Sequence, residues 1–325
     1  MRWIVVGAGA VGGVVGGLLA NAGEDVALVA RGPHLEAMRA RGLVVRTPSR
    51  DIVVRPEVAA SVNDVAIGAG DAVLLATKTQ DTEGVLLDLS ATADPAVTVA
   101  CLQNGLENER LAARRFARVL SIPVILPSAI VEPGVVAAWG APHPAVLDVG
   151  AFPDAPVDDG VIAVAAGFER AGFLSTARPD IARWKRRKLL MNLGNAVQAL
   201  CGLKGGGTIL GMAIAEGEAC LAAAGLDVAS VEEDLANRLG RMQVTEIAGL
   251  ARAGGSSWQS LQRGTGSIEA DYLNGEVSLL GRLHGVPTPV NDLLRLRANA
   301  AARAGLAPGS VDEAELVAAL EGDQR

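Results

Sequence analysis

Residues 3–12 read Trp-Ile-Val-Val-Gly-Ala-Gly-Ala-Val-Gly, and this stretch decides the fold of the chain. Its apolar start is typical of a buried parallel strand, and residues 11–22 predict a helix of small residues directly after the turn. A second apolar run of strand length follows at 25–30. The chain therefore begins with a strand, a helix and a strand, the unit from which helix-covered parallel sheets are built.

The glycine-rich turn of this unit suits a dinucleotide. Gly7, Gly9 and Gly12 permit a tight turn, the approach of a pyrophosphate to backbone N–H groups, and close packing of the helix on the strand. Ala10 belongs to the same turn, and the N-terminus of the helix that follows favours the anion. These four residues are candidate cofactor contacts, and a purely structural turn is the alternative.

The end of the second strand selects the dinucleotide. Sites specific for NAD place Asp or Glu there to accept hydrogen bonds from the ribose. In this chain Glu24 and Asp25 precede the strand, and Arg31 follows it. A guanidinium suits a 2′-phosphate, so Arg31 predicts NADP(H) as the cofactor, with a solvated loop charge as the alternative.

The rest of the chain divides into two parts. Up to residue 179, apolar runs alternate with helical stretches, which predicts a Rossmann-type, doubly wound α/β sheet over 1–179 as the NADP-binding domain. After Pro179 the apolar residues recur at helical spacing, which predicts an all-helical substrate and catalytic domain over 180–325. Further strands of the first domain are expected at 43–47, 52–54, 72–77, 97–102, 119–126 and 173–178.

Composition argues against several classes of protein. The 325 residues carry a net charge of -7, and because nucleic-acid binding relies on a basic surface, no nucleic-acid partner is expected. The uncharged stretch 3–23 contains too many glycines for a membrane helix or a signal peptide. Three scattered cysteines in apolar runs indicate reduced thiols in a cytoplasmic protein. The histidines show no metal-ligand spacing, so no metal site is expected; a homodimer is left open.

Two predicted strands end in polar side chains. Lys78 follows the strand at 72–77, and Asn104 follows the strand at 97–102. Because the carboxyl ends of such strands face the crevice where cofactors lie, both residues are candidates for holding the nicotinamide or the substrate. Turn residues without a role are the alternative.

A helix from Ile181 carries a second group of polar residues. Steps of four place Trp184, Lys188 and Asn192 on one face. The basic run 185–188 cannot form one patch, since successive helical residues fan out by about 100°. We therefore expect Lys188 to point inward, among leucines, and the other three cations to be solvated.

The last group lies near the C-terminal end. Ser257 and Trp258 precede Glu269, and a helix beginning there would pack Ile268, Tyr272, Leu279 and Leu283 as its apolar stripe. Glu269 sits beside that stripe, so periodicity alone favours a solvated carboxylate. The few aromatic residues of this half, Trp184, Trp258 and Tyr272, either line the substrate site or anchor their helices.

Together these motifs resemble the ketopantoate reductase family (2-dehydropantoate 2-reductases) along nearly the whole chain. The matching stretches are Gly7 through Gly12, Lys78, Gln103-Asn104-Gly105, Lys188 through Asn192, Ser256-Ser257, Glu269 through Gly275 and Gly285 through Asn291. The resemblance implies a Rossmann domain joined to a helical domain, with the active site in the cleft between them. It further implies that NADPH delivers hydride to the C2 carbonyl of ketopantoate, giving pantoate for pantothenate and coenzyme A synthesis.

Residue roles follow from the same resemblance. It implies that Lys188 protonates the developing alkoxide and that Glu269 hydrogen-bonds the same oxygen. It assigns Asn192 to orienting the substrate and Ser257 to the carboxylate end. Lys78 and Asn104 would lie where the nicotinamide meets the substrate.

The chain departs from the family pattern in the substrate region. Gly254 and Ala196 stand where the family often has asparagine, with Asn195 as a neighbour that could substitute, and Trp258 stands where it commonly has methionine. These departures motivate an alternative substrate, another branched 2-oxo acid or an imine. A second alternative is a non-catalytic NADP-binding sensor, although a sensor would need neither Lys188 nor Glu269.

Overall fold

The computed structural model describes residues 1–252 and 254–322, which form two compact units. The first unit comprises Met1–Gln103, Glu107–Lys185 and Ser230–Arg252. The second unit comprises Asn104–Leu106, Arg186–Ala229 and the described residues from 254 onward. The predicted fold class is confirmed, with an α/β sheet domain of Rossmann type and a helical domain.

The strands, in chain order, are β1 (Trp3–Val6), β2 (Val26–Val29), β3 (Leu43–Arg46), β4 (Asp51–Val54), β5 (Glu57–Ala59), β6 (Ala72–Leu75), β7 (Thr98–Cys101), β8 (Arg118–Ser121), β9 (Val124–Ile125), β10 (Ser128–Glu132), β11 (Val135–Ala138), β12 (Gly140–Pro142), β13 (Val146–Leu147), β14 (Gly150–Phe152) and β15 (Met242–Val244). The helices are α1 (Ala10–Asn21), α2 (Gly32–Arg41), α3 (Thr79–Thr92), α4 (Glu107–Ala113), α5 (Asp159–Arg170), α6 (Ile181–Asn192), α7 (Gly194–Cys201), α8 (Gly207–Ala223), α9 (Val231–Arg238), α10 (Ser256–Gln262), α11 (Asn274–His284), α12 (Pro289–Arg303) and α13 (Glu313–Gly322).

The main sheet of the first unit has seven strands in the order β14-β8-β7-β6-β1-β2-β5. All neighbours run parallel except β14, which is antiparallel to β8. Every residue of β1, β2 and β6 is buried, as expected for strands covered by helices on both faces. β2 lies on one side of β1 and β6 lies on the other, so the order in which successive strands join the sheet changes direction between β1 and β6. The turns after these two strands therefore lie at the position where such sheets bind ligands.

Several predicted strands behave differently from expectation. β3 and β4 leave the main sheet and form a separate four-stranded sheet in the order β10-β11-β3-β4. The expected strand at 173–178 is wrong, because that segment makes only isolated bridges, from Leu174 to Val146 and from Ala177 to Val149. β15, inside the stretch expected to be all helical, pairs antiparallel with β12 in the first unit.

The second unit is built on small aliphatic cores. One cluster includes Leu190, Leu193 and Val277, and another joins α7 and α12 through residues such as Leu200 and Leu294. The cysteines are free, and burial raises the pKa of the Cys220 thiol, as of the other two. In the described part of the chain, every helix is too short or too polar to cross a bilayer.

Candidate functional site

The turn after β1 requires glycine for steric reasons at two positions. Gly7 has φ +98°, and a Cβ there would lie 2.8 Å from the Thr77 backbone nitrogen. A Cβ on Gly12 would lie 2.3 Å from the Gly7 carbonyl oxygen and 2.9 Å from the Ala76 Cβ. Gly7 therefore allows the turn to approach the segment after β6, and Gly12 allows α1 to pack closely on the residues beneath it.

Gly9 differs from these two because it faces open space. The nearest atom to a Cβ built on Gly9 is Ile130 Cδ1, at 4.0 Å. Gly9 is the N-cap of α1, and no side chain of the described residues caps this helix start. The residues present therefore fit a pyrophosphate, because the helix begins with N–H groups beside a bare backbone.

The end of β2 carries a cation and no carboxylate. Arg31 is exposed and is the N-cap of α2. Glu24, at the opposite end of the strand, accepts hydrogen bonds from Arg170 Nε at 2.7 Å and Trp3 Nε1 at 3.0 Å. The hydrogen bond from Arg170 is the main reason that the pKa of Glu24 is lowered. Glu24 is thus engaged in the packing of α5 and is not placed where a ribose acceptor is needed.

The ends of β6 and β7 are held together by an amide side chain. Gln103 Nε2 donates to the Thr77 carbonyl oxygen at 3.0 Å and to Thr82 Oγ1 at 2.8 Å. Lys78, between these two threonines, is the N-cap of α3 and is partly exposed. The sequence-predicted Lys78 therefore stands at a strand end that is rigidly fixed to the neighbouring strand.

Two predicted substrate residues meet in the second unit. Asn192 Nδ2 donates a hydrogen bond of 2.8 Å to Asn104 Oδ1, although the two residues are 88 positions apart. Asn192 is only 4% exposed, and Asn104 is half-buried. Lys188 lies one helical turn before Asn192 on α6 and is also half-buried.

The inward-pointing cation of the basic run is Lys185, which the sequence analysis assigned to solvent. Its side chain is 4% exposed, and Nζ lies 2.9 Å from Glu109 Oε1. Nζ also donates to the carbonyl oxygens of Gln103 at 2.6 Å and Ile122 at 3.1 Å. The expectation that Lys188 alone points inward is therefore wrong. Because successive helical residues point in different directions, only some of the four basic side chains can be buried, but this spacing does not determine which one is buried.

Glu109, the partner of Lys185, is also buried. Its Oε1 also accepts a hydrogen bond of 2.8 Å from Ser121 Oγ, whereas Oε2 has no partner among the described residues. Cys101 is close enough to Glu109 and Lys185 for both charges to affect the pKa of its thiol. Burial raises the pKa of its thiol well above the ordinary value; the Glu109 carboxylate adds to the rise and Lys185 opposes it.

A third part of the site lies at the start of α10. Ser256 Oγ donates to Glu269 Oε2 at 3.4 Å, and Glu269 is only 4% exposed. Ser257 is buried beside them. The solvated carboxylate that periodicity favoured is therefore wrong. Ser256 and Glu269 are 13 positions apart, and no sequence pattern pairs them.

The helix after Glu269 begins later than expected. A 3-10 turn occupies Ala270–Tyr272, and α11 starts at Asn274. This change of phase leaves Leu279 42% exposed and Leu283 68% exposed, so the predicted apolar stripe is wrong beyond Tyr272. Glu269 precedes this turn and lies outside α11, so helical periodicity does not determine the direction of its side chain.

The two departures at Gly254 and Trp258 are spatially coupled. A Cβ on Gly254 would lie 2.5 Å from Trp258 Cγ, so the indole occupies the space that a larger residue at 254 would need. Asn195 lies close by, since its Oδ1 would be 2.7 Å from a Cβ on Gly255. Trp184 has a different environment, beneath the Arg178 guanidinium at 3.8 Å from the ring centroid.

Two of the three histidines have backbone partners. His34 Nδ1 accepts a hydrogen bond of 3.0 Å from the Gly134 N–H, and His143 Nδ1 lies 2.8 Å from the Gly172 carbonyl oxygen. Among residues 1–252 and 254–322, no group of three or more His, Cys, Asp or Glu side chains is arranged to hold a metal ion.

Two family models match the chain. The one described as Ketopantoate reductase PanE/ApbA matches residues 3–153, and the one described as Ketopantoate reductase PanE/ApbA C terminal matches residues 180–299. A 2-dehydropantoate 2-reductase from Halobacterium salinarum is 32% identical over 315 residues, which covers 91% of this chain and 98% of that protein. One from Pyrococcus horikoshii is 28% identical over 304 residues, which covers 90% and 95%.

Solved structures show the same architecture. A PanE/ApbA family ketopantoate reductase from Ralstonia eutropha superposes with a TM-score of 0.78 at 27% identity, over 94% of this chain and 99% of that one. A D-mandelate dehydrogenase solved with NADH and anilino(oxo)acetate has the same TM-score and coverage at 20% identity. At that identity the second similarity concerns the fold alone.

Proposed function

Since the chain belongs to the ketopantoate reductase family, we propose that it reduces the C2 carbonyl of ketopantoate with NADPH, giving pantoate. Family membership makes the chain an oxidoreductase that acts on a CH–OH group.

The observation that carries this proposal is the hydrogen bond between Asn104 and Asn192. Asn104 and Asn192 are 88 positions apart in the chain, yet their side-chain amides are joined by a hydrogen bond of 2.8 Å. Lys188, one turn before Asn192, belongs to the same helix. A cation one helical turn from two amides suits a site that stabilises negative charge developing on a carbonyl oxygen.

The proposed roles follow from the chemistry of carbonyl reduction. Bound NADPH supplies the hydride that C2 receives. Lys188 donates a proton to the oxygen as it becomes an alkoxide, and being half-buried it can regain a proton from solvent. Asn192 and Asn104 orient the substrate, and Ser257 contacts its carboxylate. Glu269, held by Ser256, accepts a hydrogen bond from the product hydroxyl.

NADPH is the proposed cofactor because of what stands at each end of β2. Arg31 is exposed at the end where the 2′-phosphate would lie, and Glu24 is engaged with Arg170 and Trp3 at the other end. Gly7, Gly9, Ala10 and Gly12 would hold the pyrophosphate, and Lys78 and Asn104 the nicotinamide side. Replacement Arg31→Ala should weaken NADPH binding about ten- to a hundredfold and NADH binding little, as loss of one charge-assisted hydrogen bond implies.

The control for Arg31 is Arg39→Ala. Arg39 is an exposed cation on the same helix, α2, and its ion pair with Glu36 spans 3.5 Å. Titration of both variants with NADPH and NADH separates a local phosphate contact from a general loss of positive charge. An equal loss of NADPH and NADH affinity in Arg31→Ala contradicts the assignment of Arg31.

A second candidate function is reduction of a different 2-oxo acid on the same site. It is favoured by the contact between Trp258 and Gly254, because an indole stands in the space of the amide side chain that the family often has there. An aromatic surface would favour an apolar or planar substituent on the 2-oxo acid over the hydroxyl-bearing chain of ketopantoate.

The experiment that separates the two is a substrate panel. NADPH oxidation is followed with ketopantoate, with branched aliphatic 2-oxo acids and with phenylglyoxylate, at saturating cofactor. The first proposal expects the highest kcat/KM for ketopantoate. A higher kcat/KM for another acid selects the second candidate, and no turnover of any acid despite tight NADPH binding contradicts both and favours a binding protein.

A further inference from the structure

Lys185 and Glu109 form a buried ion pair that the proposed mechanism does not use. The side chains are 4% and 2% exposed, and their charged atoms lie 2.9 Å apart. All three protons of the ammonium have acceptors, namely Glu109 Oε1 and the carbonyl oxygens of Gln103 and Ile122. A buried ammonium satisfied this completely has its position fixed by three separate bonds.

The carbonyl oxygens that Lys185 binds belong to the ends of two neighbouring strands. Gln103 follows β7, and Ile122 follows β8. The bond to Gln103 spans 82 positions and ties the segment that follows β7 to α6. Ile122 gives the same lysine a second anchor on the sheet.

The Gln103 carbonyl group directly precedes Asn104 in the chain. It forms the peptide bond to Asn104, whose side chain accepts the hydrogen bond from Asn192. Lys185 lies three residues before Lys188 and seven before Asn192 on α6. The strand end and the helix are thus linked twice, once through Gln103 and Lys185 in the first unit and once through Asn104 and Asn192 in the second.

We infer that Lys185, neutralised by Glu109, is a positioning residue for the reduction: it holds the Gln103–Asn104 peptide so that Asn104 meets Asn192 one turn from Lys188. This inference rests on the proposed function. Lys185 reaches the substrate only through Asn104, and Glu109 provides the charge that allows an ammonium to remain buried there.

The test replaces both charges together. In Lys185→Met/Glu109→Gln neither buried charge is left unpaired, so the fold can be kept while the bond to Gln103 is lost. We expect a melting temperature close to wild type and a kcat reduced about ten- to a hundredfold, as a misplaced substrate contact implies. Arg183→Met is the control and should leave kcat unchanged. Arg183 lies on the same helix as Lys185, and it forms a more exposed ion pair with Glu233 of α9.

A double-mutant cycle distinguishes positioning from a purely structural role. If Lys185 acts through Asn104, the paired replacement should change kcat less than about twofold in an Asn104→Ala background, because the group that it positions is already gone. A kcat within twofold of wild type in the paired variant overturns the inference. So does an equally large fall in the presence and absence of Asn104.

A second readout is independent of turnover. Backbone amide order parameters of residues 104–106 should fall in the paired variant and stay unchanged in Arg183→Met. If wild type reduces no 2-oxo acid, the proposed function is wrong, and the order parameters still decide whether Lys185 fixes this segment. Unchanged order parameters in the paired variant overturn the positioning role in that case.

Discussion

Asn192 Nδ2 and Asn104 Oδ1 are joined by a hydrogen bond of 2.8 Å, which links the end of α6 to the segment after β7. Asn192 is buried, and its amide is the last side chain of the helix that carries Lys188. Replacement Asn192→Ala should lower kcat/KM for the 2-oxo acid about ten- to a hundredfold, because a buried hydrogen-bonding group contributes roughly 1–3 kcal/mol. Steady-state kinetics at saturating NADPH measure this effect.

Met191→Ala is the matched control for Asn192. Met191 is the neighbouring residue on α6 and is exposed, so its replacement should change kcat/KM less than about threefold. A comparable loss in both variants would mean that the helix end, and not the Asn192 amide, is what matters.

Replacement of Gly9 and of Gly12 by alanine should cause two different defects. Gly9→Ala should fold with nearly wild-type stability, because the position of its Cβ is open, but it should bind NADPH at least about tenfold more weakly if the pyrophosphate lies there. Gly12→Ala should instead lower the melting temperature, since its Cβ would overlap the Gly7 carbonyl oxygen. Thermal unfolding and cofactor titration of the two variants test this, and tight NADPH binding by Gly9→Ala would contradict the assignment.

The free energy of unfolding should depend on pH through His34. Burial is the main cause that lowers its pKa below the ordinary value of 6.5, and neutral Nδ1 accepts the Gly134 N–H. Above about pH 6.5 both folded and unfolded states are neutral at this residue. As pH falls through about 6.5, the unfolded chain binds a proton that the folded chain does not, so the free energy of unfolding decreases.

The measurement for His34 is a comparison with His34→Asn, which keeps an acceptor and does not titrate. The melting temperature of wild type relative to this variant should fall between about pH 8 and about pH 5. Carboxylates such as Glu24 titrate in both proteins and cancel in the difference. A difference that is constant with pH would mean that His34 is protonated equally in both states.

The contact between Gly254 and Trp258 predicts that the two positions must change together. Gly254→Asn alone should lower the melting temperature, since its Cβ would lie 2.5 Å from Trp258 Cγ. Gly254→Asn/Trp258→Met should recover stability and shift the ratio of kcat/KM values toward ketopantoate. An unchanged ratio in the double variant would exclude this pair as the source of substrate preference.

The sequence was sufficient to predict the first strand, α1 and β2, because buried parallel strands and glycine turns carry local signals. The signal at β15 was too weak, since only Met242 of that strand is buried and its pairing partner, β12, lies far away in the chain. β3 and β4 were placed in the main sheet because an apolar run does not reveal which sheet it joins.

The candidate site shows the same division. Lys188 and Glu269 are site residues predicted from the family motif, whereas burial of Lys185 could not be inferred, because its partner Glu109 and the Gln103 carbonyl are distant in sequence. The start of α11 was also missed. A 3-10 turn over Ala270–Tyr272 shifts the phase of the following residues, and periodicity alone cannot register such a shift.

We propose that the chain reduces a 2-oxo acid with Lys188 as the proton donor. The most direct test of this role is the single-turnover rate of NADPH oxidation with ketopantoate in wild type, in Lys188→Ala and in the control Arg186→Ala. Arg186 lies on the same helix as Lys188, and its guanidinium donates to the Asp227 carbonyl oxygen. We expect Lys188→Ala to lower the rate about a hundred- to ten-thousandfold with NADPH affinity unchanged, and Arg186→Ala to leave the rate within about threefold of wild type. A Lys188→Ala rate within about threefold of wild type would contradict the claim.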